Sequence, residues 1–314
     1  MKYLLKTENL KKYYGKKEVV KALDDVSLAI EEGKSLGLIG ESGSGKSTLG
    51  RIISCLEKPT FGKISFMDQR IDNLSEKQFR SLRKDMQIIF QSSKGVFDPT
   101  YTIGDSIKEV LKNFEKLSER EYEERIDETL KSVGLDPDLK YRNVNQLSGG
   151  QCQRANIARA LILRPKFVIC DEPVSSLDYS IRKQILNLLN EIKEKYGITY
   201  LLITHDLSNV SYVCQAVAIM YKGKIVEYLD DTEKIGEKVI HPYSKILYAS
   251  IPKANPHNRS IVYDKDNERV SELNQIIKGC SFWDRCEKCS EICKKNIPDL
   301  KEIYPGHKVA CHLV

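Results

Sequence analysis

The stretch Gly40-Glu41-Ser42-Gly43-Ser44-Gly45-Lys46-Ser47-Thr48 fits the phosphate-binding pattern G-x-x-x-x-G-K-[ST] at every fixed position. The apolar run Ser35–Ile39 before it predicts a short buried strand, and Ser47–Ile53 after it predicts the start of a helix. Glycines in the loop allow the tight turn that aims backbone N–H groups at phosphate oxygens, next to the positive end of the helix. A Gly/Ser-rich turn would not need the whole pattern, so the stretch predicts a nucleotide site.

The polar side chains of this loop have separate expected tasks. Lys46 is expected to reach the β- and γ-phosphates of the nucleotide, and the Ser47 hydroxyl is expected to bind Mg²⁺. The residues of the loop that we expect to bind the nucleotide are Gly40, Ser42, Gly43, Ser44, Gly45, Lys46, Ser47 and Thr48.

Two acids follow a second apolar run, in Phe167-Val168-Ile169-Cys170-Asp171-Glu172. This places Asp171 and Glu172 at the C-terminal end of a buried strand, where open α/β sheets bind ligands. Asp171 is expected to hold Mg²⁺, directly or through water, and Glu172 to polarise or deprotonate the attacking water. The alternative is that the two acids cap a turn before Pro173.

The composition is that of an ordinary globular protein. The 314 residues are 41% hydrophobic and 30% charged, and the net charge of +6 is dispersed rather than gathered in blocks, which predicts no nucleic-acid partner. The N-terminus lacks the apolar core of a signal peptide, and no later segment approaches the roughly 18 uncharged apolar residues of a membrane-spanning helix. We therefore expect a cytosolic chain without its own membrane anchor.

The periodicity of the apolar residues divides the chain into regions. A strand-rich antiparallel lobe is expected up to about residue 90, a helical subdomain over about 95–165, and an α/β core that resumes near Phe167. Residues 251–268 are polar after Ile251-Pro252 and are typical of a linker. We expect an α/β P-loop nucleotide-binding domain over 1–252 and a C-terminal extension over 253–314.

The octapeptide Leu147-Ser148-Gly149-Gly150-Gln151-Cys152-Gln153-Arg154 resembles the signature sequence of ABC-type ATPases. Other motifs of that family follow the family's order: Phe90-Gln91, then Ser175-Ser176-Leu177-Asp178, then Thr204-His205-Asp206. The resemblance covers residues 1 to about 250. It implies catalytic roles for Glu172, His205 and Gln91, with His205 touching the γ-phosphate and Gln91 sensing Mg²⁺ and water. It also implies a Mg²⁺ site formed by Ser47, Gln91 and Asp171.

Two further ATP contacts are expected from the resemblance. Tyr14 matches the position where the family stacks adenine on an aromatic ring, and Tyr13 is the adjacent alternative. Ser148 and two glycines before a helix that begins near Gln151 predict a second anion cradle of backbone N–H groups. The family architecture implies that this cradle, formed by Ser148, Gly149, Gly150 and Gln151, completes the ATP site of a second nucleotide-binding domain in a head-to-tail dimer.

The C-terminal region is rich in cysteine, since five of the nine cysteines fall in the last 35 residues. Such crowding in a cytosolic chain favours a thiolate-bound centre that stabilises a tail too small for its own core. The patterns Gly279-Cys280-x-Phe282-x-x-Arg285-Cys286 and His307-x-Val309-x-Cys311-His312-Leu313 resemble the C-terminal extension of the peptide-permease branch of ABC ATPases, as does His241-Pro242-Tyr243.

That resemblance implies a [4Fe-4S] cluster on Cys280, Cys286, Cys293 and Cys311. Four thiolates also suit zinc, but zinc sites usually present tight C-x2-C pairs, so the wider spacing here favours the cluster. Cys289 forms a C-x2-C pair with Cys286 and either replaces one of the four ligands or has no ligand role.

Within the branch, Gly45–Arg51 and Asp98–Gly104 resemble the F-type member of a D/F pair of ATPase subunits, whereas Ser93–Phe97 depart from the usual pattern. The resemblance implies an ATPase that powers import of dipeptides or oligopeptides from the cytoplasmic face of the membrane. Its implied partners are a D-type paralogue or a second copy, two transmembrane permease subunits and, indirectly, an external peptide-binding protein. The alternatives are import of another small solute such as nickel and an ABC-type ATPase without a transport role.

Overall fold

The computed structural model describes residues 2–15, 19–250 and 278–314. The expected linker and the expected domain boundary between residues 252 and 253 therefore lie outside the described residues. The chain divides into two compact units, one formed by residues 1–72 with 204–314 and the other by residues 73–203.

The first unit contains the antiparallel lobe that the sequence predicts. Its strands occur in the order β2-β1-β4-β5, with buried apolar residues such as Val26, Leu28 and Ile30 alternating along β2. The bounds are β1 (Tyr3–Tyr14), β2 (Val20–Glu31), β4 (Phe61–Phe66) and β5 (Gln69–Arg70).

A second set of strands in the first unit carries the phosphate loop. Its order is β11-β12-β10-β9-β3, in which β3 and β9 are parallel and the other neighbours are antiparallel. The bounds are β3 (Leu36–Ile39), β9 (Ala216–Tyr221), β10 (Lys224–Leu229), β11 (Lys301–Tyr304) and β12 (His307–Val309). The helices of this unit are α1 (Lys46–Ile53), α7 (Val210–Val213), α8 (Ile235–Lys238), α9 (Pro242–Ala249) and α10 (Glu291–Lys295).

The second unit combines three parallel strands with the helical region. The strands β6 (Met86–Ile89), β7 (Phe167–Asp171) and β8 (Thr199–Thr204) occur in the order β8-β7-β6, and β7 and β8 are buried along nearly their whole length. The helices are α2 (Glu76–Phe79), α3 (Ile103–Lys112), α4 (Glu119–Ser132), α5 (Gly149–Leu161) and α6 (Tyr179–Tyr196).

The starts of the three helices in the predicted helical subdomain have a common cause. Thr102, Ser118 and Ser148 each form a capping box, in which the hydroxyl accepts an N–H bond from the residue three positions later. The helix α5 consequently begins at Gly149, two residues before the start expected from the sequence. Among the described residues, no helix combines the length and apolar character needed to cross a bilayer.

Candidate nucleotide-binding site

The phosphate loop joins β3 to α1, in the strand–loop–helix context that its sequence predicts. Gly45 caps α1 with φ of 105°, a backbone conformation that favours glycine. A Cβ atom at Gly40 would lie 2.2 Å from the carbonyl oxygen of Met220 and 2.7 Å from Ser44 Oγ. The loop therefore requires glycine at both of these positions, at Gly40 for close packing and at Gly45 for its backbone angle.

Lys46 is folded back on the loop. Its Nζ atom donates hydrogen bonds to the carbonyl oxygens of Gly40 and Glu41, both at 2.7 Å, and lies 3.3 Å from Ser44 Oγ. The residue is only 5% exposed, so its charge is held among backbone dipoles rather than in water. The expected contact of Lys46 with the β- and γ-phosphates stays a prediction.

The turn between β9 and β10 supports the loop from the other side. The N–H of Gly223 donates to the carbonyl of Ser44 at 2.9 Å, and the N–H of Asp24 donates to the carbonyl of Gly223 at 2.9 Å. The turn therefore links the loop to β2 of the antiparallel sheet.

The two tyrosines proposed for adenine stacking differ in their surroundings. Tyr13 is partly buried, contacts Phe61 edge-on with ring centroids 6.4 Å apart, and donates its hydroxyl to Asp24. Tyr14 is 36% exposed and its hydroxyl donates to Glu57 at 2.6 Å, which fixes the ring while leaving surface open. Tyr14 thus offers the more accessible aromatic ring of the two.

The second unit holds the two acids. Asp171 is the last residue of β7, and Glu172 follows it with φ of 47°, an uncommon angle for a residue with a side chain. The N–H of Glu172 donates to the carbonyl of Ile203 at 2.9 Å, and its own carbonyl accepts from Ser175 Oγ at 3.1 Å. These bonds hold Glu172 in a fixed backbone position at the end of the strand, and its predicted role in orienting water stays a prediction.

Gln91 lies beside Glu172. Its Nε2 donates to Glu172 Oε2 at 3.3 Å and lies 3.5 Å from Ser175 Oγ. The preceding residue, Phe90, accepts a bond through its carbonyl from the buried side chain of Asn156 on α5 at 3.3 Å. The Gln91 segment is therefore connected both to the predicted catalytic carboxylate and to the helix that follows the signature.

The signature residues form the N-terminus of α5. Ser148 Oγ accepts from the N–H of Gln151 at 3.3 Å, and the side chain of Gln151 accepts from the N–H of Ser148 at 3.0 Å. Ser148, Gly150 and Gln151 line an open groove of about 360 Å³ together with Arg154 and Ile181. The N-terminus of a helix of 13 residues, facing an open groove, is a suitable anion-binding surface.

His205 directly follows β8 and is exposed. The chain turns after it, because Asp206 Oδ1 accepts from the N–H and the hydroxyl of Ser208 at 2.9 and 2.6 Å. His205 is therefore accessible, and its predicted contact with the γ-phosphate stays a prediction.

The cysteine-rich tail packs on the strands that carry the phosphate loop. The strands β11 and β12 extend that set next to β10, and the N–H of Cys280 donates to the carbonyl of Cys293 at 2.7 Å. Phe282 is 1% exposed and packs against Tyr221 and Tyr243, with ring centroids 5.2 and 5.5 Å apart. The tail therefore shares an aromatic core with the first unit.

The four cysteines predicted as cluster ligands influence one another electrostatically. Burial raises the pKa of the Cys280 thiol to about 11, and neighbouring Cys293, Cys311 and Cys286 act in the same direction. Burial also raises the pKa of Cys311 and of Cys286, again with Cys293 among the neighbours that contribute. The four thiols therefore lie near one another although they are spread along the tail sequence.

Backbone N–H groups bond to three of these sulfurs. The N–H of the residue two positions later bonds to Cys280, to Cys286 and to Cys311, and each of these bonds lowers the pKa of its thiol. Cys289 differs, because its thiol donates to the carbonyl of Ser290 at 3.5 Å. Within residues 2–15, 19–250 and 278–314, however, no group of three or more His, Cys, Asp or Glu residues is arranged to hold a metal ion.

Two residues near the phosphate loop have contacts that the sequence did not predict. Tyr243 accepts the N–H of Glu41 through its hydroxyl oxygen at 2.9 Å, and Arg285 donates to both carboxylate oxygens of Glu41 at 2.9 and 3.2 Å. Both residues occur in patterns that resemble the peptide-permease branch, but nothing in those patterns indicated a partner in the loop. The contacts depend on long-range folding, so a local pattern could not have revealed them.

Comparison with known proteins gives two family matches. The family model described as "ABC transporter" matches residues 23–175, and the one described as "Oligopeptide/dipeptide transporter, C-terminal region" matches residues 226–293. The oligopeptide transport ATP-binding protein AppF of Bacillus subtilis is 44% identical over 94% of this chain and 90% of its own length. The dipeptide transport ATP-binding protein DppF of Haemophilus influenzae is 40% identical over 98% of this chain and 96% of its own.

Solved structures share the fold of the nucleotide-binding region. The ADP conformation of MJ1267, an ATP-binding cassette of an ABC transporter, is 29% identical with a TM-score of 0.67, covering 80% of this chain and all of its own. The dimeric post-hydrolysis state of the ATP-binding cassette MJ0796, bound to ADP and Pi, is 32% identical with a TM-score of 0.64, covering 70% of this chain and 96% of its own. The similarity to curated relatives thus extends through the tail, beyond the part shared with these solved cassettes.

Proposed function

The chain belongs to the ABC transporter ATP-binding proteins of the oligopeptide and dipeptide permease family, and we propose that it uses ATP to power import of dipeptides or oligopeptides. It is an ATPase, and ATP with Mg²⁺ is the substrate expected for that family. The observation that supports the peptide cargo is the similarity to AppF and DppF over nearly the full length of all three chains.

The hydrolytic step depends on a small number of side chains in this proposal. Lys46 would leave the loop carbonyls to bind the β- and γ-phosphates, and Ser47, Gln91 and Asp171 would supply oxygens for Mg²⁺. Glu172 orients and deprotonates the attacking water, since its backbone is fixed and Gln91 bonds its carboxylate. His205 supports the γ-phosphate, and Tyr14 stacks on adenine through its exposed ring.

We propose that the signature cradle binds the γ-phosphate side of ATP held by a second ATPase subunit. The hydrogen-bond donors in that cradle are the backbone N–H groups at the start of α5, which line an open groove in this chain. Closing a head-to-tail dimer would exclude water from that phosphate and add these donors to it, which links hydrolysis to association. The dimeric form of MJ0796 is a precedent for association of cassettes with this fold.

The remaining partners follow from the same proposal. The chain acts as the F-type member of a D/F pair or as a homodimer, joins two transmembrane permease subunits at the cytoplasmic face of the membrane, and serves an external peptide-binding protein indirectly. The proposed domains are 1–252, which binds ATP and includes the helical subdomain at about 95–165, and 253–314, which is the C-terminal extension.

The test is peptide-stimulated ATP hydrolysis by the purified membrane complex in vesicles. We expect dipeptides or oligopeptides, delivered with the external binding protein, to raise ATP turnover, and nickel salts to leave it unchanged. Stimulation by nickel alone would assign a different cargo. Two results together would contradict the transport role: ATP turnover that no solute changes, and purification of the chain without any permease subunit bound to it.

We also propose that Cys280, Cys286, Cys293 and Cys311 hold a [4Fe-4S] cluster. The proposal is supported by ligand type and not by the arrangement of the side chains: thiolates are the ligands that such a cluster requires, and the mutual repulsion of neighbouring thiolates favours a bound cation. The backbone N–H bonds to three of the sulfurs also favour the thiolate form. When bound, the cluster would cross-link the tail and stabilise it.

Metal analysis of anaerobically purified protein tests this assignment. We expect about four irons per chain, with a broad visible absorption band. Replacement of Cys286 with Ser should remove the iron, whereas the matched Cys289→Ser variant should keep it, because Cys289 bonds to a carbonyl instead of accepting an N–H. Zinc in place of iron, or loss of iron in the Cys289→Ser variant, would overturn the ligand assignment.

A further inference from the structure

The first variable residue of the phosphate loop, Glu41, is held at three points. Its N–H donates to the Tyr243 hydroxyl at 2.9 Å, its carbonyl accepts from Lys46 Nζ at 2.7 Å, and its carboxylate accepts two bonds from Arg285. Any movement of Glu41 therefore moves a carbonyl on which Lys46 rests. The position of this residue is coupled to the lysine that must reach the phosphates.

The guanidinium of Arg285 is fixed in turn by the aromatic core beneath the tail. It lies 5.8 Å from the ring centroid of Tyr221 and 5.7 Å from that of Phe282, so cation–π contacts hold the group that bonds Glu41. The neighbouring Asp284 accepts from Lys222 at 3.2 Å, and Lys222 precedes the glycine whose N–H bonds the Ser44 carbonyl. The tail thus contacts the phosphate loop directly, through Arg285 and Glu41. It also contacts the loop indirectly, through Lys222 and the turn that bonds Ser44.

The Arg285–Glu41 ion pair orients the Glu41 side chain more than it stabilises the folded protein. Two parallel N–H···O bonds to one carboxylate fix direction as well as distance. The two side chains are 38% and 41% exposed, and ion pairs at that exposure contribute little to global stability because water screens them. The pair therefore constrains the loop locally without being essential to the fold.

We propose that Arg285 is a positioning residue for ATP binding, which acts by holding Glu41 and thereby sets the conformation of the phosphate loop and the approach of Lys46 to the phosphates. The cysteine-rich tail is accordingly part of the support of the nucleotide site. This role rests on the ATP-binding function of the family and not on the cluster proposed for the tail.

The test is a double-mutant cycle on the full-length chain, with ATP affinity measured by titration of a fluorescent ATP analogue and competition by ATP. Arg285→Gln and Glu41→Gln should each raise the dissociation constant for ATP by about three- to tenfold, the range expected when a partly screened charged hydrogen bond is lost. The double variant should be no weaker than either single one, because both remove the same constraint. Arg285→Lys, which keeps the charge but loses the bidentate geometry, should give an intermediate value.

The matched control is Arg70→Gln. Arg70 forms a bidentate pair with Asp72 in the same unit, with contacts of 2.8 to 3.2 Å and no bond to the loop, and its side chain is 48% exposed. We expect the ATP affinity of Arg70→Gln to equal that of the wild type. We expect the thermal unfolding midpoints of the Arg285 and Glu41 variants to stay close to that of the wild type. An unchanged dissociation constant in Arg285→Gln, or additive losses in the double variant, would overturn the proposal. Should Arg285→Gln fail to fold, wild-type affinity in Arg285→Lys and Glu41→Gln together would overturn it as well.

Discussion

His241 is a buried histidine that the fold keeps neutral. It is 1% exposed, its Nδ1 accepts the N–H of Tyr243 at 3.1 Å, and it makes a second bond to the backbone of Ala310. Burial lowers its pKa from 6.5 to about 4, only partly opposed by the Ala310 bond. A protonated ring could not accept at Nδ1, so charging His241 would remove the cap from α9 as well.

This pKa predicts a loss of stability in acid. The unfolded chain takes up the proton near pH 6.5 and the folded chain only near pH 4, so the unfolded state binds more protons between these values. The free energy of unfolding should therefore fall as the pH decreases through this window, by up to about 3 kcal/mol from this group. Urea denaturation at pH values from 4.5 to 7.5 measures it. The His241→Gln variant should show a weaker pH dependence, and an identical dependence would refute the role of His241.

The sequence points to single residues where the chemistry is local and misses them where it is not, and the roles of Lys46 and Ser47 stay predictions. Lys46 and Ser47 are recognisable because phosphate binding requires them at a fixed spacing within one loop. The partner of Glu41 lies 244 positions away, and neither Glu41 nor Arg285 is unusual in its own segment. Only the folded chain brings those charges together.

Among the structural elements, the N-terminus of α5 is where a substitution is expected to change ATP turnover without changing the stability of the fold. Among the described residues, a Cβ atom at Gly149 would meet only Leu177 Cδ2, at 3.9 Å, which is an ordinary contact. Alanine is also the better helix former, so the chain itself gives no reason for glycine at this position. In the proposed dimer, a close approach of the partner's ATP to the start of α5 would supply such a reason.

We expect Gly149→Ala to retain the wild-type free energy of unfolding within about 1 kcal/mol and to retain ATP binding, yet to reduce ATP turnover at least about tenfold. Gly40→Ala is the contrasting variant, since its Cβ would lie 2.2 Å from a backbone oxygen and should impair both stability and ATP binding. Chemical denaturation, ATP titration and steady-state turnover distinguish the two. Normal ATP turnover in Gly149→Ala would contradict the proposal that the start of α5 binds the ATP held by a partner subunit.

The elements were predictable to different degrees for physical reasons. The helices α3, α4 and α5 lie in the region where the sequence predicts helices, and each starts at a capping residue, although α5 begins two residues before the start that the sequence led us to expect. The short strands β11 and β12 have no such pattern: they contain four and three residues, and they exist because β10 offers an edge for β12 to pair with. Tertiary pairing, not local preference, forms them.

At the scale of the whole molecule, the tail is structurally part of the nucleotide-binding unit. The division by contacts joins residues 204–314 with residues 1–72, and the aromatic core of Phe282, Tyr221 and Tyr243 explains why. The sequence indicated a separate extension because its cysteine spacing differs from the rest of the chain. Composition can mark such a change, but it cannot show which surface the new segment covers.

In the proposed function, ATP hydrolysis directed by Glu172 drives the movement of peptide. Uptake of a labelled oligopeptide into vesicles that contain the complete transporter, supplied with Mg²⁺ and ATP, measures this directly when wild-type protein is compared with Glu172→Gln. The variant removes the proposed base while keeping the size of the side chain, so it should bind ATP with unchanged affinity. We predict ATP-dependent uptake by the wild type and at least about a hundredfold loss of uptake and turnover in the variant. Uptake that continues at the wild-type rate in Glu172→Gln would contradict the account.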